Sequence, residues 1–264
     1  VQFLRSSWLV LLLVIIGTAL FWLRPGGIEG PRPAPVAPEG RGFDHSALDP
    51  ILAQVARPDG TVDYAAVKAM RPALDHYLGQ LRAAGPANAG HRFKTSNDRL
   101  AYYLNAYNAL MLATVLDHCP IDNVQTAYVA GGLFWRVSFL LGEDLITLSD
   151  LEGQIRSVMG ADAAVLLAVI KGAKGSPMLP PKAFRGETVH DALAAHARAV
   201  LKLPAFVRQE GDTVHLSKIF EWYQVDFGTA PIHWIQQRAP ELLTGTPKTI
   251  VYQPFDWALN GTCP

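Results

Sequence analysis

Lys171 and Ser176 stand five residues apart in the segment AVIKGAKGSPMLPP, Ala168–Pro181, which begins as an apolar run and ends in a loop rich in Gly and Pro. Loops of that kind often mount exposed chemistry. A serine activated by a buried lysine is a workable nucleophile, but this spacing does not ensure that the two side chains meet, and GSPM does not match the elbow of serine hydrolases. The bland alternative is a solvated lysine and a turn serine. Glu152 is a second candidate, as a functional carboxylate, although with Ser149 it also reads as a capping box that would explain it locally. Asn105 and Asn108 share one face of a mostly apolar helix; they either line a site or plug neighbouring backbone.

Other chemistries find less support. The eight histidines include no HxxxH or HxH spacing, and His190 and His196, six apart, fall on different helix faces, so neither a zinc site nor any other cofactor is expected. Cys119 and Cys263 can pair in an oxidising compartment, pinning the C-terminus to the end of a central helix, or remain two free thiols. Lys plus Arg equal Asp plus Glu at 23 each, which gives no global field for nucleic acid, and none is expected as a partner.

These residues need elements to position them. In TSNDRLAYYLNAYNALMLATVLDHC, Thr95 and Asp98 form a capping box and apolar residues cover most of the circumference, which predicts a central buried helix ending at Cys119-Pro120. Helices are also expected within Phe43–Ala56 and Val67–Leu81, from Ser149 to about Met159, and from Thr188 to about Leu203. FWRVSFLLGEDLITL reads as two strands around a turn, and Ala163–Ile170 as a buried strand. TVHLSKIFEWYQVDFG gives a strand, a Ser217 cap and an amphipathic helix; TIVYQPFDWALN closes as a strand and tail. The expected class is α+β, a single globular domain over residues 43–264 with a small, mostly antiparallel sheet.

The N-terminal residues 1–24 differ. Arg5 precedes sixteen uncharged residues from Trp8 to Leu23, a run of about 24 Å as a helix. Trp8 and Trp22 sit where interfacial belts would fall and Leu12 and Ile16 within the apolar middle, while bulky residues stand where a cleavage site needs small ones. An uncleaved transmembrane signal anchor is therefore expected, followed by a Pro/Gly-rich spacer over 25–42 too broken for helix or strand.

Several segments taken together resemble the family catalogued as domain of unknown function 547. DRLAYYLNAYNAL, LITLSDLEGQIR, VHLSKIFEWYQVDFG and PFDWALN are similar to its blocks, in order, across roughly Phe43 to Asn260. On the family pattern, the loop after the apolar strand carries two cysteines and the helix before it a Glu-His pair. Here Lys171 and Ser176 occupy the thiol positions, Glu152 remains, and Gly153 stands at the histidine.

Loss at those positions, beside retained scaffold segments, implies a non-catalytic role. With the anchor, it leads to a membrane-anchored extracytoplasmic accessory protein, a single-pass inner-membrane chain with its C-terminal domain in the periplasm or outside. Its expected partners are the lipid bilayer and an integral membrane protein complex. The alternatives are a hydrolase- or transferase-type enzyme using Glu152, Asn105, Lys171 or Ser176, and a periplasmic ligand-binding module.

Overall fold

The computed structural model describes residues 42–128, 132–159, 162–228 and 230–264, with the backbone of Ile28–Glu29. The two-residue strand β1 (Ile28–Glu29) is followed by helices α1 (Asp49–Val55), α2 (Tyr64–Ala69), α3 (Arg71–Ala83) and the long α4 (Ser96–Asp117). A short α5 (Leu133–Arg136) leads to the hairpin β2 (Ser138–Leu141) and β3 (Asp144–Thr147), then to α6 (Leu148–Met159) and α7 (Val189–Leu201). A second hairpin, β4 (Val207–Glu210) and β5 (Thr213–Ser217), precedes α8 (Ile219–Trp222), α9 (Pro231–Arg238) and β6 (Thr249–Gln253).

The long helix α4 is the axis of the core. Thr95 and Asp98 make both bonds of the capping box, and every residue from Leu100 to Val115 is buried. Helices α2, α3, α6 and α7 all pack against it. Two of its polar side chains are satisfied by backbone that has no sheet to join. Asn105 clips Phe184, donating from Nδ2 to the carbonyl and accepting from the amide at 2.9 Å each, and Asn108 does the same for Ala168 O and Ile170 N.

Four expectations are corrected. The sheet is not one mostly antiparallel unit but two mixed three-stranded sheets, in which β1 runs parallel to β2 and β6 parallel to β5 beside the two antiparallel hairpins. Ile28–Glu29 thus adds a strand within the segment expected to be a spacer. Residues Ala163–Leu167 form a 3₁₀ turn, not a strand. An apolar run this buried carries no period that separates the two states, and Asn108 supplies the bonds that a neighbouring strand would have given. The amphipathic helix expected after Ser217 is a single turn, α8, followed by further turns.

The fourth correction concerns the membrane. No helix among the described residues is long and apolar enough to cross one, and the run holding Trp8, Leu12, Ile16 and Trp22 lies outside the described residues. What the structure supports is an α+β domain with no membrane-spanning helix among the described residues. The anchored topology, the inner-membrane placement and the bilayer and membrane-complex partners are withdrawn with it.

The C-terminal strap completes the site region. Cys263 is joined to Cys119 by a disulfide, and the backbone between is laced to three loops. Leu259 N donates to Asp122 O, Asn260 N to Gly172 O, and Val62 N to Asn260 O. Lys174 N and Gly175 N donate to Ala258 O and Asp256 O, both at 2.8 Å. This close approach needs glycine at 175, where a Cβ would sit 2.8 Å from Asp256 N, and the turn beneath it needs the left-handed φ of +67° at Gly172.

Candidate functional site

Glu152 reaches the site because it is not used as a cap. The helix α6 begins two residues earlier than its second capping signal. Thr147 Oγ1 accepts from Asp150 N, and Asp150 Oδ2 accepts from Thr147 N, both at 3.1 Å. Leu148, Leu151 and Ile155 then face the core, with Glu152 at the edge of that face. Its carboxylate is engaged on both oxygens. Lys171 Nζ donates to Oε2 at 2.7 Å and the Tyr223 hydroxyl donates to Oε1 at 2.5 Å, the length of a charge-assisted bond.

The pair is largely removed from water, with 11% of the Lys171 and 14% of the Glu152 side chain accessible. Burial alone would raise the Glu152 carboxyl, but the Lys171 charge and the two hydrogen bonds outweigh it and hold it below the usual range. Burial is the largest single influence on Lys171 and would lower it, yet the Glu152 charge, Tyr223 and the hydrogen bonds together outweigh it, and the ammonium is held above its ordinary value. Tyr223 is pushed up by burial and by the neighbouring carboxylate, against the opposing pull of Lys171. All three groups therefore keep one protonation state around neutrality: carboxylate, ammonium and neutral phenol.

Aromatic groups enclose this cluster. Lys171 Nζ lies 5.7 Å from the Phe134 ring centre and 6.0 Å from that of Tyr223. Arg156 stacks over the Tyr223 ring at 5.5 Å while its guanidinium forks onto Asp226 at 3.0 and 2.7 Å, so the phenol is held from behind. The Tyr107 hydroxyl is buried and finds no hydrogen-bond partner among the described residues. Burial raises Tyr107, and the Glu152 charge adds to it, which places that hydroxyl within the carboxylate's field.

Of the residues singled out in the sequence, the structure brings Glu152 and Lys171 into contact and ties Ser176 to them through backbone. Ser176 Oγ accepts from Lys171 N at 2.6 Å, buried, in the turn that spans the loop. Lys171 Nζ is committed to Glu152 and held protonated, so it is not a base for that hydroxyl. Asn105 spends its amide on Phe184. Tyr223, Tyr107 and Phe134 are not among the site residues that the sequence suggests, where Tyr223 reads as a core aromatic; the signal is present, since Tyr107 and Tyr223 lie inside the NAYNAL and KIFEWY segments. Among the described residues no group of three or more His, Cys, Asp or Glu could hold a metal ion.

Fold and site define an α+β domain with a buried, aromatic-walled ion pair. Residues 92–201 match the family model described as "Protein of unknown function, DUF547". That stretch is homologous to the family's domain and includes Tyr107, Glu152, Lys171 and Ser176; the likeness read from the sequence extended further in both directions. No curated protein and no solved structure matches the chain.

Proposed function

We propose that the Glu152–Lys171–Tyr223 cluster is the site of a ligand-binding module, in which fixed charges recognise a small polar molecule. One observation carries this reading: two opposite charges and a phenol are kept together at the margin of the core, where water no longer solvates them well. Such pairs gain little stability over apolar packing, and clusters of perturbed groups concentrate at functional sites. Their protonation states favour binding over catalysis. A general acid or base works best with a pKa near the working pH, whereas Glu152, Lys171 and Tyr223 are all displaced away from it.

The likeness to the family supports the same conclusion. Lys171 and Ser176 stand at the positions that carry thiols in the family pattern, and Gly153, at the histidine position, has open space where a Cβ would be. On that pattern the chain carries a cation where the resemblance places a thiol. A hydrolase- or transferase-type activity is the second reading, favoured by the unpartnered Tyr107 hydroxyl beside Glu152, which could donate to a reacting group.

A melting-temperature screen of polar small molecules tests the proposal. A ligand at a hundredfold its Kd adds about 2.7 kcal/mol to stability. That gain should appear in the parent chain and be lost in Glu152→Gln; a gain that survives the substitution unchanged would refute the assignment.

A further inference from the structure

The site is continuous with a strip of aromatic rings that its chemistry alone does not require. Trp222, adjacent in sequence to Tyr223, is 43% exposed. Its ring lies 4.9 Å from that of Phe255 and 6.0 Å from that of Trp257. Trp257 in turn lies 6.2 Å from Phe134, whose ring faces the Lys171 ammonium. The strip therefore runs from an exposed indole to the buried ion pair, and its two central rings ride on the C-terminal strap that is bonded to the 172–175 loop.

We propose, resting on the ligand-binding reading above, that this strip and the ion pair together bind a neutral oligosaccharide. Two features select that class. The first is charge, which balances around the strip: Lys171 is paired with Glu152, Arg156 with Asp226 and Lys218 with Glu221, and the exposed Lys174 and Asp256, on the loop and the strap, add one charge of each sign. A ligand with net charge would gain little from such a surface. A polyol, whose hydroxyls both donate and accept, can use the ammonium and the carboxylate at once. The second is shape: sugar rings present flat faces of weakly positive C–H groups, which complement the negative faces of tryptophan and phenylalanine. Because two ring-to-ring steps of about 6 Å separate Trp222 from the Phe134 ring beside the pair, the ligand spans more than one sugar unit.

The test is a calorimetric titration of the full chain with neutral tetrasaccharides of glucose and of N-acetylglucosamine, in parallel with the variants Trp222→Ala and Tyr223→Phe, their folding checked by circular dichroism. The expected result is binding by the parent chain, weakened about tenfold in Trp222→Ala and weakened again in Tyr223→Phe. Absence of binding to every tetrasaccharide overturns the inference, and so does binding that either variant leaves unchanged. If other polar molecules bind the parent chain and are lost in Glu152→Gln while no saccharide binds, the site stands and only its ligand class falls.

Discussion

Lys171 Nζ and Glu152 Oε2 lie 2.7 Å apart, nineteen residues distant in sequence, on elements that meet only because α6 and the loop after the 3₁₀ turn both pack on the core around α4. The contact links the folding of the chain to its chemistry. Removing one charge should therefore be costlier than removing both.

Lys171→Met strands the Glu152 carboxylate with only Tyr223 as a donor. The expected loss is about 3–5 kcal/mol, with part of it recovered in the double variant Lys171→Met/Glu152→Leu, because two apolar groups need no partner. Urea midpoints of the parent and three variants measure this; equal, additive losses would show that the two charges are not coupled.

Four of the shifted groups give the pH dependence of stability a definite sign. His45 is pushed down to about 3, by burial first and then by the Arg185 charge, and His196 to about 4, by burial against its backbone hydrogen bonds. The unfolded chain takes up protons at these histidines from about pH 6.5 downward while the folded chain does not, so stability falls as the pH drops below 6.5. Glu152, held below the usual carboxylate range by Lys171 and its hydrogen bonds against the effect of burial, extends the loss at more acid pH. Lys171, held above 10.5, reverses the sign in base, where stability present below that pH is lost as the folded ammonium deprotonates. Denaturation midpoints between pH 4 and 8 check the acid limb, and His196→Gln should flatten it.

Gly153 lies inside α6 and a Cβ there would meet nothing within 4 Å. Gly153→Ala should raise stability by about 1 kcal/mol, the usual helix preference of alanine over glycine. The ion pair and ligand binding should be unaffected. A destabilised variant would mean that the open space is filled in solution.

The disulfide between Cys119 and Cys263 closes a span of 144 residues. Replacing both with serine should cost about 2–4 kcal/mol, with the entropic share growing with the size of the loop. Because the same strap carries Phe255 and Trp257, ligand affinity should fall as well, a second effect that a remote stabilising bond would not produce.

Much of this arrangement is legible in the sequence, and the failures have physical causes. Thr95 and Asp98 announce α4 because both capping bonds are local. In TLSDLE two capping signals overlap, Thr147 with Asp150 and Ser149 with Glu152; β3 ends at Thr147, so the first one wins and Glu152 is released. No local signal contains that choice. The strand β6 is legible in TIVYQ, but the parallel pairings of β1 and β6 are invisible, since each joins a strand far along the chain. Tyr107 and Tyr223 pass for core aromatics until the structure shows where their hydroxyls point, one onto Glu152 and one left without a partner among the described residues.

The most direct test of the binding site is the affinity of a ligand found in the melting-temperature screen, measured by calorimetry at pH 7 for the parent chain and for Tyr223→Phe. That substitution keeps the ring under Arg156 and removes only the hydroxyl on Glu152. The account predicts binding in the parent chain that weakens about tenfold or more in the variant, with folding intact. Equal affinity in both, or no polar ligand for the parent chain, would contradict it.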